Sequence, residues 1–486
     1  MKNSSFQLKY LFLTVLLIGF GSRATAETTK LSGNAPSYAG EEIIFYSYSN
    51  MISFREIQLG TCIVNDSGLF ECSIDLDETR LIFTNLGIYN CFLYAEPGYY
   101  YELKLPEKRK KTDAEAMNPY FENISIHLVV KIKGSGKNQE LPDAGQELNF
   151  IIRTFNDSFY PYYYKYVINA IAYQPDRKEI DKVIAALNEP YSEYDQPYFK
   201  EYLDYRTGLL EHHAAQRGNR EIIDDYFSGR PFLQYNPAFM ELFNEIFTDY
   251  FELYIKENPE SNLYFIVNRE RSLDKLRDLI KKDKSLSDET MQELVIIKSL
   301  YDAFYDARFS KSSIIMLMDS INAETEIEFH QLILSDIKYE ITKLAIGFEP
   351  PPFELYNHDS TLISLNDFQG EYVYLGFCNS FSYACIKEFE LLKDMNSRYE
   401  QYLKIVTILI DDSFETMRNL VESNNYSWTF LHYSNNPEIL DDYDIKGYPT
   451  YFLIDKDGKL MASPATSPAE GFERFMFSIL RSRNEF

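Results

Sequence analysis

The chain has 486 residues, with 48 Lys and Arg against 74 Asp and Glu and a formal net charge of −26. A surface this acidic repels phosphate backbones and anionic headgroups, which argues against nucleic acid and membrane surfaces as partners. The length is too great for one hydrophobic core, so two to four domains are expected.

The first 26 residues read as an export signal. Lys2 and Lys9 precede an apolar run from Tyr10 to Phe20, and Ala24-Thr25-Ala26 places small residues at both cleavage-determining positions. The run is shorter than the roughly 20 residues that a spanning helix needs. Cleavage near Ala26 is expected, with the mature chain beginning near Glu27, no membrane insertion afterwards and a location outside the cytoplasm. No cysteine lies near the cleavage region to be acylated, and no later segment is apolar enough to span a bilayer. Loss of Lys2, Lys9 and Arg23 takes the formal charge to −29.

Residues 27–142 read as a β-rich domain. Runs such as IIFYSYS, LIFTNL, YNCFLYAE, YYYELKL and SIHLVVKIKG are separated by turn-forming stretches. One of these, Asn65-Asp66-Ser67-Gly68, lies between Cys62 and Cys72 and places them nearly opposite each other on an expected hairpin. A cross-strand disulfide and two buried free thiols both fit that position. With Cys91, Cys378 and Cys385 the count is five, so at least one thiol stays free unless it pairs between molecules. Gly134-Ser135-Gly136-Lys137 has a superficial likeness to a phosphate loop, but Lys131 stands where the first glycine belongs and Asn138 replaces the Ser/Thr, so it reads as a turn.

Residues 143–346 read as helical. From Phe239 to Ile255 the residues Phe239, Leu242, Phe243, Ile246, Phe247, Tyr250, Phe251 and Tyr254 recur at helical spacing, and Leu294, Ile297, Tyr301 and Phe304 repeat the pattern. Such a stripe is core before it is a ligand groove, and 40 tyrosines against one tryptophan fit helices with half-wet aromatic faces. His212 and His213 point about 100° apart on a helix and are not expected to share a metal. No metal site is expected.

The three prolines of Gly347–Pro352 end any helix and open a last domain, 347–486. Strands are expected at Tyr372–Phe377, Lys404–Ile410, Trp428–His432 and Thr450–Asp455. A turn at Lys456-Asp457-Gly458-Lys459 then leads to a hairpin partner at Leu460–Ser463. Helices are expected at Ser382–Glu400, Phe414–Ser423 and Pro468–Arg481.

This last segment resembles the TlpA-type branch of the thioredoxin family, which is related to the AhpC/TSA peroxiredoxins. Pro352-Phe353-Glu354-Leu355 and Leu362–Gly370 look like the family's opening strands. Phe377–Glu388 (FCNSFSYACIKE) sits where the family carries a strand end, a Cys-x-x-Cys motif and the helix that starts on it. Gly447-Tyr448-Pro449-Thr450 looks like its cis-proline loop, and Tyr451–Leu460 like its final hairpin. The resemblance covers about 140 of the 486 residues and implies a thioredoxin-like fold with thiol–disulfide chemistry.

Aligned on that pattern, the first cysteine position holds Ser382 in Ser382-Tyr383-Ala384-Cys385, and a serine hydroxyl, scarcely ionised near neutrality, cannot replace a thiolate nucleophile. Gly376 stands where thioredoxins place a buried acid, and Cys378 where the family usually has Trp. Ordinary dithiol exchange is therefore expected to be lost. Three readings of Cys385 stay open: a buried packing residue, a partner for Cys378, and a peroxidatic thiol, because Ser-x-x-Cys resembles the peroxiredoxin Thr/Ser-x-x-Cys. Against the last, the upstream proline is absent and no Arg lies between Arg418 and Arg474. Family likeness also implies that Pro449 and Tyr448, with the turn beginning at Phe381, can hold an extended peptide.

The expected architecture is α+β multidomain: a β-rich N-terminal domain, a helical middle domain and a C-terminal α/β thioredoxin-like fold. The domain order resembles exported TlpA-type proteins of Gram-negative bacteria and implies the periplasm. Two functions of different class follow. One is a thiol–disulfide oxidoreductase relative with residual redox activity through Cys385, with Cys378 as the candidate second thiol and Ser382 at the degenerate nucleophile position. The other is a non-enzymatic binding or scaffold protein that uses the peptide surface at Phe381, Tyr448 and Pro449. A protein or peptide partner is expected, with no organic cofactor, and the oligomeric state is not set by the sequence.

Overall fold

The computed structural model describes residues 26–485 apart from 110, 113–114, 116–120, 137–140, 144, 169–174, 216, 287, 412 and 435–437. The expected export signal lies outside the described residues except for Ala26, as do Lys137 and Asn138 of the glycine turn. Among the described residues no helix is long and apolar enough to cross a membrane.

Among the described residues, nine strands build the N-terminal region: β1 (Glu27–Asn34), β2 (Glu42–Tyr48), β3 (Glu56–Ile63), β4 (Leu69–Leu76), β5 (Arg80–Leu86), β6 (Tyr89–Ala95), β7 (Tyr99–Lys104), β8 (Ile124–His127) and β9 (Val129–Ser135). They form two sheets, ordered β4-β1-β7-β9 and β3-β2-β5-β6-β8. One core lies between them: Leu31, Ile74 and Tyr101 from the first sheet meet Phe45, Ile82 and Leu93 from the second. The turn after β3 forms as its residues dictate, with Asn65 Oδ1 accepting from the N–H groups of Ser67 and Leu69 and Gly68 at a φ of +83°. The expected hairpin does not form, because β3 pairs with β2 and β4 with β1. The chain leaves the turn into two different sheets, and a Cys62–Cys72 disulfide ties those sheets together across it. Cys91 is a buried free thiol in the same core, its pKa pushed up to about 12 by burial.

The middle region is helical, and three of its helices matter below: α1 (Pro197–Ala215), α2 (Pro237–Ile246) and α3 (Glu328–Thr342). The aromatic stripe from Phe239 to Tyr254 is buried throughout, but one continuous helix there is a correction. Helix α2 stops at Ile246, Asp249 takes a φ of +50°, and a second helix runs Tyr250–Glu257. The Asp249 N–H finds an acceptor in Asp302 Oδ2 at 3.2 Å, so the broken turn is satisfied from outside. Leu294, Ile297 and Phe304 are buried as the second stripe predicts.

One carboxylate joins the sheets to the helices. Asp336 of α3 is buried and accepts from Ser49 Oγ (2.5 Å), Asn50 Nδ2 (2.9 Å) and Arg55 (2.9 Å), all in the β2–β3 connection. The Arg55 guanidinium also lies 4.4 Å over the Tyr339 ring. From α3, Tyr339 reaches Asp442 of the last domain at 3.4 Å, and Tyr46 of β2 donates to Glu438 at 3.0 Å.

In the last domain β10 (Glu354–Tyr356) and β11 (Leu362–Ser364) form a small hairpin. The central sheet contains β12 (Tyr372–Cys378), β13 (Leu403–Leu409), β14 (Thr429–His432), β15 (Thr450–Ile454) and β16 (Leu460–Ala465), in the order β14-β13-β12-β15-β16. β12, β13 and β14 run parallel, and β15 and β16 are antiparallel to their neighbours. Helix α4 (Tyr383–Tyr399) follows β12, and helices at Phe414–Asn424 and Phe472–Ser482 complete the layers. A core lies on each face of the sheet, with Tyr374, Phe389 and Phe472 on one side and Leu375, Phe377 and Tyr443 on the other. β12 is buried at every position, which is why it reads as a continuous apolar run. The linker is tied to β16 by Gly347 N–H to Leu460 O (2.8 Å) and Leu460 N–H to Phe348 O (2.9 Å).

Asp336→Ala removes the acceptor of three donors, of which Ser49 Oγ is buried with no other bond, and is expected to cost about 3 kcal/mol, read as a lower urea midpoint. Arg55→Ala leaves Ser49 and Asn50 bonded to the carboxylate and removes a half-exposed partner, so its cost is about 1 kcal/mol.

Candidate functional site

β12 delivers the chain into helix α4 through the short turn Asn379–Ser382, and both ends of that turn carry sulfur. Cys378 closes β12 and Cys385 sits in the first turn of α4; both are fully buried and free. The turn is pinned to the end of β13: Asn379 Nδ2 donates to Ile410 O at 2.8 Å, and Ser380 N–H donates to Asp411 Oδ1 at 3.0 Å. Asn379 Oδ1 accepts from Phe381 N–H at 2.8 Å, which turns the backbone outward at that residue. Phe381 and Tyr383 are each 83% exposed.

Ser382 is the N-cap of α4, and its Oγ accepts from Cys385 N–H at 3.4 Å. A cap needs a short side-chain oxygen in extended backbone, and Ser382 supplies both. The Cys385 sulfur accepts from Asn379 N–H at 3.4 Å. A hydrogen bond from Cys378 is the main influence lowering the Cys385 pKa to about 7; the Asn379 N–H and the Ser382 side chain add to it, while burial opposes. Burial pushes the Cys378 thiol well up, and its bond to Cys385 raises it further. These opposite shifts favour the proton on Cys378 and the thiolate on Cys385, which sits at a helix N-terminus. Each thiol shifts the other's acidity, and a disulfide between them would require their sulfurs to close to about 2.05 Å.

Three further side chains belong to this pocket. Gly376 is glycine for a packing reason: a Cβ there would meet Tyr451 Cε1 at 2.7 Å, so the Tyr451 ring occupies the space a side chain would need. Glu388, one turn beyond Cys385 on α4, is buried; desolvation raises its carboxyl, and its Oε2 accepts from Ala469 N–H at 3.2 Å. Its negative charge raises both cysteines. Sequence reading missed Glu388, although its spacing of three residues from Cys385 puts it on the same helix face. On the opposite rim Tyr448-Pro449 is a cis peptide leading into β15. Tyr448 is 36% exposed, and its hydroxyl is pushed up to about 12, mainly by burial, with Cys385 among the smaller influences.

All six sequence-predicted residues therefore meet at one end of the central sheet. Cys378 and Cys385 lie inside, Ser382 caps the helix above them, and Phe381, Tyr448 and Pro449 belong to the two loops at the rim.

Residues 346–463 match the AhpC/TSA family. The thiol-disulfide oxidoreductase ResA of Bacillus thuringiensis subsp. konkukian is 30% identical over 120 residues, which cover 24% of this chain and 69% of that protein. ResA of Bacillus anthracis is 31% identical over 121 residues, again 24% and 69%. Among solved structures, the thioredoxin domain of a thiol-disulfide oxidoreductase from Bacteroides vulgatus is 24% identical, covers 28% of this chain and 99% of its own, and has a TM-score of 0.26. Through its C-terminal domain, this chain belongs to the TlpA-type, thioredoxin-like family related to AhpC/TSA proteins.

Proposed function

We propose that this is an exported thioredoxin-fold protein in which ordinary dithiol exchange is lost and the remaining thiol chemistry resides in Cys385, with Cys378 behind it. One observation carries the reading: the residue capping α4, where the family places its exposed nucleophile, is Ser382, and the sulfur next along the helix is fully buried. A serine hydroxyl has no thiolate to offer, and its oxygen is engaged with the Cys385 N–H. Cys385 has the acidity of a reactive thiol but lacks the access, so exchange with a protein disulfide requires the Asn379–Ser382 turn to open. Export is supported by the leader pattern of residues 1–26 and by the Cys62–Cys72 disulfide, which persists in oxidising compartments. The domain boundaries proposed are 27–142, 143–346 and 347–486.

A second reading is a binding protein. It is favoured by the two aromatic rings, Phe381 and Tyr383, each 83% exposed beside a half-exposed Tyr448. An extended segment of a partner protein would lie across them, and no redox change would accompany binding.

Insulin reduction with dithiothreitol as electron donor separates these readings from an active oxidoreductase. The wild-type chain is expected to stay at the uncatalysed rate, and Ser382→Cys to raise the rate at least tenfold by restoring a capping thiolate above Cys385. Wild-type turnover that vanishes in Cys385→Ser would sink the claim of lost exchange. The thiolate itself is read by ultraviolet titration. Absorbance is expected to rise with a midpoint near pH 7 and to be absent in Cys385→Ser. Cys378→Ala removes the main donor and moves the midpoint upward, towards the ordinary thiol value of about 8.5.

A further inference from the structure

Outside the thiol pocket, the described residues hold one cluster of metal-ligating side chains. It lies where the C-terminal turn of α1 meets α2. Adjacent helical residues diverge by about 100°, yet one ligand atom from each of His212, His213 and Glu245 comes within 4.8 Å of the others. Glu245 belongs to α2, so the carboxylate bridges what the helix geometry separates. His213 Nε2 stands 3.6 Å from Glu245 Oε1, and the two imidazole rings are 4.9 Å apart. His212 Nδ1 is buried and has no hydrogen-bond partner, a state that leaves a nitrogen desolvated with nothing in return.

We propose that His212, His213 and Glu245 bind one divalent first-row transition-metal ion, Zn²⁺ by ligand type, that ties α1 to α2. Two imidazoles and a carboxylate are a three-ligand zinc set with a fourth position left for water. Tetrahedral bonds of about 2.0–2.1 Å put neighbouring ligand atoms about 3.3 Å apart. The His213–Glu245 pair is close to that already, and the remaining separations, at most 4.8 Å, would close by side-chain rotation, for which Glu245, 47% exposed, has room. Mg²⁺ and Ca²⁺ do not fit, because both prefer oxygen ligands. Glu245 also lines a cavity of about 490 Å³ with Met51 and Asn244, where α2 faces the sheets, so the carboxylate is reachable from solvent. The site is independent of the cysteines and stands whether or not the thiol reading does.

Titration of the untagged chain with zinc chloride against a chromogenic chelator at pH 7.5 tests this. One zinc per chain is expected, with the affinity at least tenfold weaker in His213→Ala and in Glu245→Gln, and unchanged in His358→Ala in the C-terminal domain. Cobalt substitution is expected to give the visible bands of a tetrahedral ion. Glu245→Gln is isosteric at an exposed position, so its circular dichroism should match the wild type and a loss of zinc there is a loss of ligand. Less than half an equivalent of zinc, or binding indifferent to both Glu245→Gln and His213→Ala, overturns the proposal.

Discussion

The structure turns on one buried carboxylate. Asp336 sits in helix α3, out of water, and such a charge is tolerable only if its lone pairs are taken up. Ser49, Asn50 and Arg55 do so from a single connection of the β-rich region, so burying Asp336 brings that connection onto α3. The same helix face presents Tyr339, which carries Arg55 on its ring and reaches Asp442 of the thioredoxin-like domain. Three regions of the chain are thus joined through a single turn of one helix. The thiol pocket belongs to the third of these, and its Asn379–Ser382 turn is held by Ile410 and Asp411, just after β13, rather than by the junction.

Much of this arrangement is legible in the sequence because burial writes itself as periodicity. β12 is covered on both faces and appears as an unbroken apolar run, β13 is nearly so apart from Lys404 and Thr407, and the aromatic stripe after Phe239 marks core at every position. Periodicity does not show where a helix stops. The break at Asp249 is invisible because the stripe keeps its phase across it, and the bond that makes the break tolerable comes from Asp302, more than fifty residues away. The diverging strands after Asn65–Gly68 escape for a related reason: the turn chemistry is local, but each strand's partner is not.

At the site, residue types were readable and proximity was not. Ser382, Cys385, Tyr448 and Pro449 stand out against the family pattern, yet nothing in the spacing of Cys378 and Cys385 says that a strand end and a helix start bring their sulfurs into contact. His212 and His213 show the converse. Their adjacency alone argues against a shared ligand, and the third residue that gathers them lies on another helix.

A serine at the cap of α4, with the cysteine one turn inside, has two consequences that pull in opposite directions. Serine is among the best N-caps, stabilising a helix by about 1 kcal/mol relative to alanine, so Ser382 secures the start of α4. The helix N-terminus that would have acidified an exposed thiol instead acts one turn deeper, where Cys385 receives Asn379 N–H, the Ser382 side chain and the proton of Cys378. Acidity is retained and exposure is not. The Asn379–Ser382 turn that covers the thiols is held to Ile410 and Asp411 by two hydrogen bonds. Phe381 within that turn and Tyr383 just after it stay exposed, so the segment that buries the sulfurs is also the one that presents two aromatic rings to solvent.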